Sequence, residues 1–198
     1  MKFICIFLCV FIFSPVFSAE PQDIFKKALS DYNTGFFNKS PRSEISLKYL
    51  LKAKTSFENI IAQYPNTLEA QLSSFKVGFC YYKLKDFPNA INSLLTYINK
   101  YPADNQFYID DAKHQLGLAY KLSKDNINAE NSFKSVLEYK TETNEKLKNI
   151  IPESYFELWK LYIKTNNTIE ASKIYTEFLT SYPNHPKAKY MVSLSNQQ

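Results

Sequence analysis

Two histidines, three cysteines and nineteen acidic residues are the side chains of this chain that could move protons, hold a metal or attack a substrate. His114 and His185 stand far apart, and no Cys/His cluster has metal-ligand spacing. Cys5 and Cys9 lie in the apolar N-terminal run, which leaves Cys80 alone in the body of the chain. A single thiol forms no internal disulfide. Asp110-Asp111 falls at a helix start, and the acidic residues from Glu142 to Glu145 fall in a polar stretch. Capping and solvation account for carboxylates in such places without acid–base chemistry. No Ser or Cys nucleophile motif is present. The three glycines, Gly35, Gly78 and Gly117, are too few and too scattered for a phosphate-binding loop. The expectation is a protein that is not an enzyme and needs no cofactor and no metal.

What remains is a large stock of aromatic and basic side chains, and the elements that hold them decide their use. Of the 198 residues, 45% are hydrophobic and 22% charged, which suits a folded domain. The net charge of +5 is spread along the chain. A nucleic-acid footprint would be a clustered patch, so no nucleic-acid partner is expected.

The N-terminus reads as a secretory signal peptide over residues 1–18. Lys2 is a short positive region, Phe3 to Phe13 is an apolar run, Pro15 breaks it, and Ser18 and Ala19 are small. The run is too short to span a bilayer. Neither Cys5 nor Cys9 sits where a lipid-acceptor cysteine would, so residues 19–198 are expected as one exported domain.

That domain carries an internal repeat. KVGFCYYKLKDFPNA at 76–90 returns as QLGLAYKLSKDNINA at 115–129, with Gly, Tyr, Lys-Asp and Ala at matching places and Gly78 and Gly117 39 residues apart. Cys80 aligns with Ala119, which makes it a small buried residue. Tyr64-Pro65-Asn66, Tyr101-Pro102-Ala103 and Tyr182-Pro183-Asn184 each close an apolar, helically spaced segment, because proline cannot continue a helix. The spacing predicts helix pairs at 22–38 with 44–63, 67–84 with 87–100, 106–123 with 126–139, and 150–164 with 168–181. A short capping helix follows over 186–194. Residues 140–149 read as a polar connection, and an insertion around Asn38 to Glu44 displaces the first helix. Gly78 and Ala90 are expected to let paired helices approach closely.

These residues resemble the tetratricopeptide repeat, a helix–turn–helix unit of 34 residues. Gly78, Tyr81, Ala90, Leu94 and Pro102 fit one unit, and Gly117, Tyr120, Ala129 and Phe133 fit the next. Tyr162, Ala171, Tyr175 and Pro183 fit a later unit, with Trp159 where a small residue belongs, and Ala53, Phe57 and Pro65 fit the first. The resemblance implies an all-α, right-handed solenoid of about four helix pairs that serves as a binding scaffold. It also implies a concave groove lined by the first helix of each pair. Phe75, Phe79, Tyr82 and Lys83 then line it in the second unit, His114 and Lys121 in the third, and Phe156, Lys160 and Lys164 in the fourth. The aromatics would anchor a protein or peptide segment and the lysines would favour an acidic one. The Lys/Asn/Lys set by which some members clamp chaperone C-termini is absent: Phe75/Phe79/Lys83, His114/Leu118/Leu122 and Phe156/Lys160/Lys164 stand there.

The aromatic-rich helices ending in Tyr-Pro-Asn resemble the periplasmic tetratricopeptide proteins, among them the outer-membrane assembly component BamD and the envelope coordinator CpoB. That implies an exported adaptor in the periplasm or peripheral to the outer membrane, serving outer-membrane protein assembly or division-linked envelope maintenance. Any membrane association would be indirect, through envelope partners. The alternative is a scaffold subunit of a periplasmic glycan-processing complex.

Overall fold

A computed structural model describes residues 20–38, 40, 43–101, 106–138 and 147–195. The expected signal peptide lies outside these residues. Among them the chain forms nine helices and no strand: α1 (Pro21–Phe36), α2 (Glu44–Gln63), α3 (Leu68–Lys83), α4 (Phe87–Lys100), α5 (Gln106–Leu122), α6 (Asn126–Leu137), α7 (Leu147–Lys164), α8 (Thr168–Ser181) and α9 (Pro186–Ser195). The repeated Lys-Asp dipeptide now has a physical meaning. Lys85 and Lys124 end α3 and α5 in the left-handed conformation, with φ of 63° and 67°, and Asn166 does the same after α7 at 56°. The next residue caps the following helix. The side chains of Asp86, Asp125 and Asn167 accept from the backbone N–H of Asn89, Asn128 and Glu170. One turn therefore closes three of the four pairs. Pro88 lies in the first turn of α4, where its missing N–H costs no helical bond.

The first pair differs. In α4, α6 and α8 three residues precede the repeat alanine (Ala90, Ala129, Ala171), whereas α2 runs nine residues before Ala53. The extra length is thus built largely as helix. There Gly35 meets Leu50, and the Ser46 hydroxyl donates to the Gly35 carbonyl at 2.6 Å.

Each helix packs on its chain neighbour, and the first helices also touch one another: α1 on α3, α3 on α5, α5 on α7. That closer approach makes their side the inner curve of the stack. The repeat glycines sit between paired helices. A Cβ on Gly78 would lie 2.8 Å from the Leu94 side chain and one on Gly117 would lie 2.6 Å from the Phe133 ring. The close approach is thus onto Leu94 and Phe133, four residues past the alanines. Two apolar cores result. One runs from Ala28 through Phe57 and Phe75 to Leu116, the other from Ala129 through Phe133, Tyr155 and Trp159 to Met191, and Tyr120 of α5 packs on both.

One boundary departs from the sequence expectation. α7 begins at Leu147, so residues 147–149 are helical rather than connecting, and residues 139–146 lie outside the described part. The helix passes through Pro152 because Ile151, Ser154, Tyr155 and Leu158 bury one face of it. The tail forms α9, whose Ala188 and Met191 are buried in the second core.

Candidate functional site

The inner face is built from α1, α3, α5 and α7, with α9 beside α8 at its end. Residues seven apart on a helix share a stripe. On α3 that stripe carries Lys76 and Lys83 with Phe79 between them. The Phe79 ring meets Phe75 at 4.7 Å, and Phe75 reaches Tyr97 and Tyr108 at 5.3 and 5.1 Å. Phe75 and Phe79 are therefore core residues, 1% and 4% exposed, which corrects their assignment as groove anchors. A groove position on one helix becomes interior once α4 and α5 close around it.

From α1, Tyr32 and Phe36 stack on each other at 5.0 Å. The ammonium of Lys76 lies 5.0 Å from the centre of the Tyr32 ring, and that of Lys83 lies 4.1 Å from the Phe36 ring. Burial pushes the pKa of both lysines down. Neither forms an ion pair among the described residues. The carboxylate nearest in effect to Lys76 is Asp111 of α5, itself pushed up to about 6 by burial against the opposing pull of Lys76 and a hydrogen bond with Gln115.

The other half of the face is arranged differently. Glu157 of α7 pairs with Lys121 of α5 and, at 2.7 Å, with Lys160 of its own helix. Burial opposes its charge, yet these two hydrogen bonds hold its carboxyl below the ordinary range. Lys187 of α9 pairs with Glu153. Lys160 and Lys187 also cover the Phe156 ring, at 4.5 and 4.3 Å, leaving it 8% exposed. Phe156 is therefore a capped core residue and not a free anchor.

His114 is likewise interior. It is 7% exposed, with Nδ1 2.8 Å from the Ser154 hydroxyl oxygen. That hydroxyl donates its one proton to the Ile150 carbonyl, so Nδ1–H is the donor to it. Burial lowers the imidazole pKa to about 4 against the charges of Glu157 and Glu153. The residue is a neutral link between α5 and α7, since Phe133 of α6 and Ser154 of α7 close over a position that helical register alone leaves at the groove.

Of the expected groove residues, Tyr82 and Lys83 remain half-buried, Lys121 and Lys160 are half-buried but paired, and Lys164 is exposed. Sequence reasoning missed Lys76, Glu157, Ser154 and Lys187. A signal existed for the first two: Lys76, Gln115 and Glu157 stand two residues before Gly78, Gly117 and Trp159, a polar residue at one repeat offset. Cys80 is fully buried, and burial pushes its thiol up to about 12, so it is no nucleophile at neutral pH. No group of three or more His, Cys, Asp or Glu side chains able to hold a metal occurs among the described residues.

Residues 73–104 match the tetratricopeptide-repeat family model. No curated protein sequence matches the chain. Among solved structures it is similar to MamA (residues 41 to the end) from Desulfovibrio magneticus RS-1, with 16% identity over 84% of this chain and 78% of that one and a TM-score of 0.63. It is also similar to the TPR-like repeats of a Podosopora anserina chain described as a kinesin light chain, at 13% identity, 88% and 84% coverage and a TM-score of 0.67. BtubC from P. vanneervenii matches at 13% identity over 89% and 76%, with a TM-score of 0.56. At these identities the likeness is one of fold.

Proposed function

We propose that this chain, in which residues 73–104 match the tetratricopeptide-repeat family model and helix pairs stack into an α-solenoid, is a non-catalytic scaffold that holds a protein or peptide segment against the inner face of α1, α3, α5 and α7. The repeat fold supports protein–protein interaction as the coarse function. The observation that carries the finer reading is that face itself. It presents half-buried Tyr82 and Lys83 on α3 and exposed Lys164 on α7, a mixture of apolar and cationic contacts suited to a segment with side chains at regular spacing.

We place this scaffold in the bacterial cell envelope, in outer-membrane protein assembly or division-linked maintenance. The support is the Lys2-led apolar run and the Tyr-Pro-Asn rhythm that resembles BamD and CpoB. Photo-crosslinking in the native envelope tests both parts. A crosslinker at Tyr82 should capture a discrete protein, whereas one at Thr96 on α4 should not. Capture from Thr96 alone would move the contact off the inner face, and capture of cytoplasmic proteins alone would remove the envelope placement.

A further inference from the structure

We propose that the α1–α3 half of the inner face is an anion site, in which Lys76 and Lys83, standing on the Tyr32–Phe36 ring shelf, take two side-chain carboxylates of an extended acidic segment. The proposal rests on the inner-face reading above and names the partner's chemistry and its place.

Charges removed from water are ordinarily paired, because an unpaired one loses hydration without compensation. Every other lysine that the inner face draws inward obeys this rule: Lys121 and Lys160 share Glu157, and Lys187 holds Glu153. Lys76 and Lys83 break it. Both are partly withdrawn from solvent, both lie over aromatic rings, and neither has a carboxylate within ion-pair distance among the described residues. The rings stabilise an ammonium without cancelling its charge, and they leave its N–H donors available to an oxygen acceptor. Asp111, the one acid that acts on Lys76, is engaged with Gln115. No acid among the described residues acts on Lys83.

The spacing selects the ligand further. Seven residues of helix set the two Cα atoms about 10.5 Å apart. Side chains three residues apart in a polyproline-type extended chain lie on one side, about 9.3 Å apart. A segment with acidic residues at every third position therefore meets both lysines at once, with half-buried Tyr82 one residue before Lys83 as an apolar neighbour.

The probe is a fluorescein-labelled peptide of repeated Glu-Pro-Pro, amide-capped, with a Gln-Pro-Pro control and a third form bearing a free C-terminal carboxylate. Binding to the full folded chain is read by anisotropy at low and moderate salt. The Glu peptide should bind at least tenfold more tightly than the Gln peptide. The Lys76→Met/Lys83→Met variant should lose that preference, Lys83→Arg should keep it, and Lys173→Met, at an exposed position on α8 away from the inner face, should change it less than twofold. Circular dichroism establishes that each variant is folded.

Absence of binding by the Glu peptide, or an equal loss in Lys173→Met and in the double variant, overturns the site. A gain of tenfold from the free C-terminus on the Gln peptide overturns the choice of side-chain carboxylates. If Tyr82→Ala weakens both peptides equally while the double variant binds as the parent, the inner face still binds segments and only the anion site is rejected. If no inner-face substitution affects a peptide that does bind, both readings fall.

Discussion

The two halves of the inner face use the same fold and the same residue types, yet they treat charge in opposite ways. Between α5 and α7, lysines meet glutamates and the face is closed by its own ion pairs. Between α1 and α3, lysines lie over rings and form no ion pair among the described residues. A single repeat offset makes much of the difference. It holds Lys76 in α3, Gln115 in α5 and Glu157 in α7, so that one position passes from basic through neutral to acidic along the stack. Repetition thus builds a surface whose geometry is uniform and whose chemistry is not. The half without internal partners is the half with something left to offer a ligand.

The sharpest way to break the comparison is to force the pairs apart on either side. Gly117→Leu and Gly78→Leu should each destabilise the chain by about 3 kcal/mol or more, since overpacking a close helix contact has no easy relaxation. The smaller changes should rank the two sites. Gly117→Ala drives its Cβ into the Phe133 ring, while Gly78→Ala meets the Leu94 side chain, which can turn aside. Urea melts of the four variants should place Gly117→Ala below Gly78→Ala, and the reverse order would show that the second core yields more readily than the first.

Acid should act in opposite directions on two titratable groups of α5, Asp111 facing Lys76 and His114 facing α7. The Asp111 carboxyl, raised to about 6, binds its proton more readily folded than unfolded, so acidification from about pH 6 toward 4 favours the folded state. His114, lowered to about 4, resists the proton that the unfolded chain accepts near 6.5, so stability is lost over that same range as pH falls. Each contribution is on the order of 2 kcal/mol, and in the parent they largely offset. Relative to the parent, Asp111→Asn should lose stability between pH 7 and 4.5, and His114→Gln should gain it. Parallel curves for both variants would mean that neither group titrates in this range.

Removing charge gives a third contrast. Glu157→Gln leaves Lys121 and Lys160 without their shared partner and should cost about 1–2 kcal/mol, because a half-buried pair is broken from one side. Lys83→Met removes a cation that has no partner to lose, so its melting temperature should stay level or rise. Glu157→Gln should also give the α5–α7 half an affinity for the acidic peptide that it lacks in the parent. Failure to acquire that affinity would mean that charge pairing alone does not distinguish the two halves.

The smallest effect lies on the seams between units. Tyr81 donates to Glu58 at 2.6 Å beside Lys54, and Tyr162 donates to Glu130 at 2.9 Å beside Lys134. The charges are swapped between the two seams, Lys before Glu in α2 and Glu before Lys in α6. At the middle seam Ile91 and Leu95 of α4 occupy the corresponding places opposite Tyr120. Tyr81→Phe and Tyr162→Phe should each cost about 1 kcal/mol, and Tyr120→Phe should cost nothing measurable.

Helix positions, the turns between them and the glycine contacts were legible because each is written locally. Apolar spacing sets the helices, Lys-Asp or Asn-Asn sets the turns, and a missing Cβ marks the close approach. The candidate binding residues were legible only in part. Register assigned Phe75, Phe79, His114 and Phe156 to the groove side of their own helices, and all four are buried. Whether such a side chain meets solvent depends on residues from elsewhere in the chain: Tyr97 and Tyr108 close on Phe75, Ser154 on His114, and Lys187 on Phe156. Tyr97 and Tyr108 lie 22 and 33 residues from Phe75, and Ser154 and Lys187 lie 40 and 31 residues from His114 and Phe156. Pairing follows the same rule, since Glu157 could be recognised as the partner of Lys121 only once α5 and α7 lay side by side. The sequence by itself determined an all-α repeat solenoid, because secondary structure and repeat period are short-range properties. Tertiary structure alone decided which lysines remain unpaired, because burial and Coulomb interaction depend on distances that only packing creates.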